Sequence, residues 1–196
     1  MNQLVNERHF GLLADAFLQD PMCKYLYNST DVNKEYDAVK KVFSFMYKLG
    51  KAYGHLITTK NEEGIIVYTK SYVVCKSLTN QLKIGAIPLL FNIGIKNFIR
   101  SLRYDAYSQK MHTKHAKKDD IYLYIIAVNP SHHRKGFGST LICDLQQTLK
   151  PNQRIYLETS NPNNIPFYEK FGFKILEDFV VPKSDVHIWP MVYVKG

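Results

Sequence analysis

Hydrophobic positions along the chain follow two spacings, and the switches between them predict the elements. Over residues 9–18, Phe10, Leu13, Ala14 and Phe17 recur at helical spacing, and Pro21 biases Asp20 away from helix, so a first helix ends there. Residues 22–27 form a short apolar and aromatic segment, closed by the turn or cap signal Asn28-Ser29-Thr30-Asp31. A second helix over 35–49 places Tyr36, Val39, Phe43 and Met46 on one face, with Gly50 as its stop. Residues 52–59 and 64–68 then read as strands joined by a hairpin-like turn, the second strand extending toward Ser71. Residues 78–84 begin a helix, Gly85 to Pro88 interrupts it, and helical periodicity resumes over 89–107, which predicts a helix kinked at Pro88. A polar junction over 109–120 follows.

The second half is more sharply punctuated. Ile121 to Val128 is an apolar, aromatic and β-branched run suited to a buried strand, ended by Asn129-Pro130-Ser131. His133-Arg134-Lys135-Gly136-Phe137-Gly138 comes next, and 139–149 reads as a helix. A strand, a basic glycine-containing turn and a helix aim successive backbone N–H groups at an anion. Residues 154–159 are a strand, and 165–171 a short helix that tolerates Pro166 in its first turn and stops at Gly172. A further strand begins over 173–177. The last spans 187–194, where Pro190 argues for an edge position or a bulge.

Composition narrows this picture. The 196 residues suit one globular domain, and the 45% apolar content supplies a core. A formal charge of +9 favours anionic partners, whether nucleic acid, an acidic surface or a phosphorylated cofactor. Cys23, Cys75 and Cys143 are isolated and odd in number, which points to free thiols in a reducing compartment. The N-terminus has no signal-peptide core, and the apolar patch 84–95 is broken by Pro88, Asn92 and two glycines and is too short to span a bilayer. A cytoplasmic protein is expected. His112 and His115, three apart, have the spacing of two ligands on a helix face, but no Cys, Asp or Glu completes a metal set. A solvated basic face is the expected account of 109–120, and no metal is expected.

Two stretches resemble the GCN5-related N-acetyltransferase (GNAT) superfamily. The first is His133 to Gly138, where the family pattern is Gln or Arg, two residues, Gly, one residue, then Gly or Ala. Gly136 and Gly138 match, and His133 departs from the usual leading residue. The second is the strand Leu157-Glu158-Thr159, then Asn161, Tyr168, Gly172 and Phe173, with Asn164 where the family often has Ala. More loosely, the Asp20-Pro21 step before an aromatic segment resembles a group that includes puromycin-resistance-like acetyltransferases. The resemblance implies a mixed α/β (α+β), mostly antiparallel sheet flanked by helices. In it a splayed strand pair, 121–128 and 154–159, forms an acyl-CoA slot. It implies a single acetyltransferase domain over 1–196, with the helical segment 76–118 over the acceptor site.

It also implies acetyl-CoA as cosubstrate. The backbone of Ile126, Ala127 and Val128 would pair with the pantetheine arm. His133, Arg134, Lys135, Gly136, Phe137, Gly138 and Ser139 would hold the pyrophosphate, and Asn161 would bind the arm or nearby backbone. Tyr168 would lie against the departing sulfur and protonate it, since a tyrosine hydroxyl keeps its proton at neutral pH. Glu158 is the first candidate for general base. His55 and His187 are weaker candidates, and ordered water is another. Tyr25, Tyr27, Tyr36, Tyr104 and Tyr107 are open to two readings, pocket lining or core packing. The resulting expectation is acetyl transfer to a primary amine of a small molecule in a ternary complex, by a monomer or homodimer that binds neither nucleic acid nor membrane. The alternatives are a peptide or protein amine as acceptor, a non-enzymatic acyl-CoA-binding regulator, or a basic nucleic-acid module supported by net charge alone.

Overall fold

Three helices open the chain, each bounded by local chemistry. A computed structural model of the chain describes residues 2–69 and 78–196. Helix α1 (Asn2–Phe17) starts earlier than its apolar spacing suggests. Pro21 then begins a new helix, α2 (Pro21–Tyr27), whose cap Asp20 accepts the Met22 N–H at 2.9 Å. Helix α3 (Val32–Tyr53) is capped by Asp31, which accepts the Asn33 and Lys34 N–H groups at 3.0 and 3.3 Å.

Gly50 does not stop α3; the helix runs through it to Gly54, whose N–H bonds the Gly50 carbonyl at 2.7 Å. Residues 52 and 53 are therefore helical, and strand β1 (His55–Thr58) is shorter than expected. Gly50 is a packing glycine. A Cβ there would lie 2.2 Å from Val67 Cγ1 on strand β2 (Gly64–Thr69), so its absence lets the helix rest on the sheet. Gly50→Ala gains about 1 kcal/mol of helix propensity but must displace the helix, so we expect a net loss of about 1–3 kcal/mol in urea unfolding. Val67→Ala, which removes the clashing methyl, should restore part of that loss in the double mutant. A neutral or stabilising Gly50→Ala would refute the packing role.

The segment after β2 differs from a single kinked helix. Among the described residues three helices follow, α4 (Leu78–Ile84), α5 (Ala86–Ile93) and α6 (Ile95–His115). The breaks fall at Gly85 and Gly94, with φ of 112° and 80°, while Pro88 sits in the first turn of α5, where its missing N–H costs nothing. Helix α6 continues through most of the polar junction. The expected extension of β2 to Ser71, Cys75, and residues 76 and 77 of the expected helical segment lie outside the described residues.

Strands β3 (Ile121–Val128), β4 (Arg154–Thr159) and β7 (His187–Val194) have the expected bounds. Helix α7 (Phe137–Gln147) follows β3, and α8 (Ile165–Lys170) follows β4. Gly172, at φ 82°, ends α8 as its position suggests. The short strands β5 (Lys174–Ile175) and β6 (Phe179–Val180) complete the sheet. Among the described residues its order is β1-β2-β3-β4-β7-β5, with β6 also on β7. All pairings are antiparallel except β3 with β4. Helices cover both faces: α1–α3 pack on Ile65, Val67, Ile125 and Ala127, and α7 and α8 on Ile66, Leu123, Ile155 and Leu157. No helix among the described residues is long and apolar enough to cross a membrane.

Pro190 lies on neither an edge strand nor a bulge. Its strand is internal, paired to β4 on one side and to β5 and β6 on the other. The Pro190 carbonyl accepts the Leu176 N–H at 2.9 Å, so its nitrogen faces that same side, at the interruption between β5 and β6. A missing donor breaks no ladder there.

Candidate active site

The slot originates in a one-residue irregularity. Along β3 the register with β2 jumps between Val67 opposite Ile125 and Tyr68 opposite Leu123, so Tyr124 is an extra, bulged residue. The bulge reverses the alternation of faces. Ile121 and Leu123 pack with α7, whereas Ile125 and Ala127 pack with α1–α3. It also bends the strand. Strands β3 and β4 pair only at Ile121–Ile155 and Tyr122–Tyr156 and then diverge.

Beyond that point the gap side of β3 is paired to no strand. The Asn129 N–H bonds the Glu63 carbonyl at 2.8 Å, on the β2 side. Backbone polar groups of successive residues point alternately to the two sides of a strand. Those of Ala127 therefore face β2, and those of Ile126 and Val128 face the gap. The Ile126 groups and the Val128 N–H are poised to add an extended, amide-bearing arm as if it were a strand, while the Val128 carbonyl meets the His133 ring.

At the end of the gap the loop to α7 forms a concave rim of N–H groups. Arg134 (φ 61°) and Gly136 (φ 88°) both take left-handed backbone, which turns successive N–H groups to one side. Phe137, Gly138 and Ser139 occupy the first turn of α7, where helix geometry provides no carbonyl for their N–H groups. Gly136 is required by its φ. Gly138 leaves room for Phe167, whose ring tip would lie a tight 3.3 Å from a Cβ there and would have to give. The side chains of Arg134 and Lys135 are exposed beside this rim. His133 Nε2 lies 3.0 Å from the Val128 carbonyl, tying the loop to the strand end.

On the other side of the gap a cavity of about 270 Å³ lies between the sheet and α1–α6. Glu158 and Tyr168 both line it. Glu158 shares a face of β4 with Tyr156, as alternation requires. It accepts the Tyr156 hydroxyl at 2.8 Å through Oε1 and the Ser108 hydroxyl of α6 through Oε2. Tyr168 is buried against Phe167 and Phe173, with ring centroids at 5.4 and 5.7 Å. Burial pushes its hydroxyl well above the ordinary tyrosine range, and the charge of Asp20 adds to the shift.

Other candidates lie elsewhere. His55 stacks on Tyr68 at 5.1 Å, and His187 bonds Asp178 at 2.5 Å and stacks on Trp189. Neither lines the cavity. His112 packs edge-on against Tyr122 and Tyr156, while His115 bonds Glu177 at 2.6 Å, so the two do not converge on a common point. Among the described residues no cluster suited to a metal ion is present. Tyr104 lines the cavity and bonds Ser160 at 2.6 Å. Tyr107 packs on Phe179, Tyr27 bonds Ser101, and Tyr36 bonds Asp15, and none of these three is part of the cavity wall. Tyr25 is also absent from that wall and packs in the core. Asn161 caps the turn after β4, accepting the Asn163 N–H at 3.1 Å. The sequence reading missed Asp20, Ser108 and Tyr156 as site residues, and the only signals for them were the cap position of Asp20 and the two-residue spacing from Tyr156 to Glu158.

Comparison with known proteins bears on the fold. Residues 97–173 match the model of the acetyltransferase (GNAT) family. A Corynebacterium glutamicum protein described as histone acetyltransferase HPA2 and related acetyltransferase superposes with a TM-score of 0.62, over 97% of this chain and 91% of its own, at 16% identity. Arylalkylamine N-acetyltransferase 2 of Aedes aegypti superposes with a TM-score of 0.54 over 100% and 97%, at 11% identity. In sequence, an uncharacterised N-acetyltransferase of Schizosaccharomyces pombe is 26% identical over 171 residues, covering 82% of this chain and 67% of its own. The chain has the GNAT acetyltransferase fold, with a mixed, mostly antiparallel sheet flanked by helices. The residues present fit an acyl-CoA: the Gly136–Gly138 rim suits its pyrophosphate, and the gap beside Ile126 and Val128 suits its amide-bearing arm.

Proposed function

We propose that the protein is an acetyl-CoA-dependent N-acetyltransferase acting on a primary amine of a small molecule, by direct attack in a ternary complex. The observation that carries this reading is the shared cavity. Glu158 and Tyr168, from β4 and α8, both line a partly open cavity beside the gap between β3 and β4. Bound acetyl-CoA supplies the activated acetyl group. The backbone of Ile126 and Val128 holds its arm, whereas Ala127, expected to share that role, has its polar groups turned to β2; an N–H on this strand end faces the thioester oxygen. His133, Arg134, Lys135, Gly136, Phe137, Gly138 and Ser139 form the pyrophosphate rim, and Asn161 fixes the adjoining turn. Glu158 removes a proton from the acceptor nitrogen, directly or through water. Tyr168 donates its proton to the departing sulfur, since burial keeps the hydroxyl protonated at neutral pH. Helices α1–α6 line much of the cavity wall, which favours a small acceptor over a polypeptide.

The test is an acetyl-CoA-dependent thiol-release screen across small amines, Lys-containing peptides and free peptide N-termini. Tight CoA binding without turnover would favour a regulatory domain, and preference for peptides would reject the small-molecule acceptor. Ser108 positions Glu158 through its hydroxyl. Ser108→Ala should lower kcat about 10-fold with acetyl-CoA affinity retained, and Ser108→Thr should recover most of it. Unchanged kcat in Ser108→Ala would show that Glu158 needs no such partner.

A further inference from the structure

The cavity holds a buried carboxylate that the mechanism above leaves idle. Asp20 is 9% exposed, caps α2 through Oδ1, and lines the same space as Glu158 and Tyr168. Its charge acts on both cavity tyrosines, raising the Tyr168 and Tyr104 hydroxyls. Capping alone does not call for a charge, because Asn or Ser caps a helix as well as Asp. A carboxylate in such a place is costly unless it meets a cation. Although the chain carries a net +9, no Lys, Arg or His appears among the described residues lining the cavity. Much of the remaining wall is apolar, including Phe17, Val42, Met46, Leu89 and Phe98.

We infer, on the basis of the amine-acetylation reading, that Asp20 receives the acceptor as its ammonium ion and takes the first of its two departing protons, and that this acceptor carries a single cationic centre on an apolar body. One N–H proton passes from the ammonium to Asp20, freeing the lone pair. The C–N bond forms and the C–S bond breaks. The second nitrogen proton goes to Glu158, and the thiolate takes the proton of Tyr168. Glu158 returns its proton to Tyr168 through the cavity, and Asp20 releases its own to water. The sum is ammonium plus thioester giving amide, thiol and one proton. Burial raises Asp20 to about 6, which makes it a better proton acceptor than an ordinary carboxylate. A polyamine or Lys-rich peptide would have to bury its further charges against the apolar wall.

The experiment uses the full chain with saturating acetyl-CoA. Thiol release is measured for phenylalkyl and branched-alkyl monoamines, polyamines and Lys peptides, in the wild type and in Asp20→Asn and Asp20→Ser, both of which preserve the cap. Apolar monoamines should exceed polyamines and Lys peptides in kcat/KM by at least about 10-fold. Both variants should lose about 100-fold in kcat/KM for the amine, with CoA affinity by calorimetry unchanged. Wild-type turnover that survives in either folded variant within about threefold overturns the role of Asp20. A preference for polyamines or Lys peptides overturns the acceptor class. Absence of turnover with every amine rejects the acetyltransferase reading, and this inference falls with it.

Discussion

Tyr168→Phe is expected to lower kcat about 100-fold while acetyl-CoA binds as before. The phenyl ring would fill the same space between Phe167 and Phe173, so the packing of α8 on the sheet is retained. Among the described residues the hydroxyl makes no hydrogen bond within the protein, and its removal orphans no partner. Stability should therefore hold or rise slightly. That separation makes the variant informative, because a loss of rate cannot be charged to a loss of fold. Single-turnover kinetics across pH, with CoA affinity measured in parallel, provides the check. Rates equal to wild type at every pH would remove Tyr168 from the proton path and leave thiolate departure to solvent.

The parts of this site legible in the sequence are those written in contiguous residues. The runs 121–128, 154–159 and 187–194 end at proline, glycine or polar clusters, so their bounds follow from composition alone. The pyrophosphate rim depends on Gly136 and Gly138, which lie side by side with the strand before them. Other features depend on what meets what in space. Gly50 reads as a helix stop until Val67 is seen against it. Tyr124 reads as one more strand residue, and only the ladder with β2 shows that it is extra. The Ser108 contact with Glu158 spans 50 positions and is set by the phase of α6 on the sheet. His133 departs from the family pattern, and its ring bond to the Val128 carbonyl gives it a local structural role that no motif encodes. Pro190 follows a sound rule about ladders, but the rule concerns the donor side, and that side is decided by where β5 gives way to β6.

Asp20→Asn is expected to stabilise the folded chain at pH 7 even as it impairs turnover. Burial is the largest influence on Asp20 and raises it from 3.8 to about 6, against the opposing pull of the Met22 and Cys23 N–H groups. The groups in its surroundings are Cys23 on α2, Tyr104 on α6 and Tyr168 on α8, all held neutral at pH 7 by burial, with Glu158 and Asp105 lining the same cavity. In the unfolded chain the same carboxyl titrates near its ordinary value. Its contribution is therefore fully present below about pH 4 and is lost as the pH rises through about 6, because the folded state holds a proton that the unfolded state has released. Above that window the wild type carries a deficit on the order of 3 kcal/mol, which a neutral Asn removes while still accepting the Met22 N–H. Urea unfolding of both proteins at pH 4 and pH 7.5 should show curves that nearly coincide at the lower pH and separate at the higher, with Asn the more stable. An equal gap at both values would mean that the charge of Asp20 is not what costs stability. A gap confined to the higher pH, together with lost amine turnover, marks a residue kept ionisable at the expense of the fold, the trade expected of a group whose task is to meet a cation.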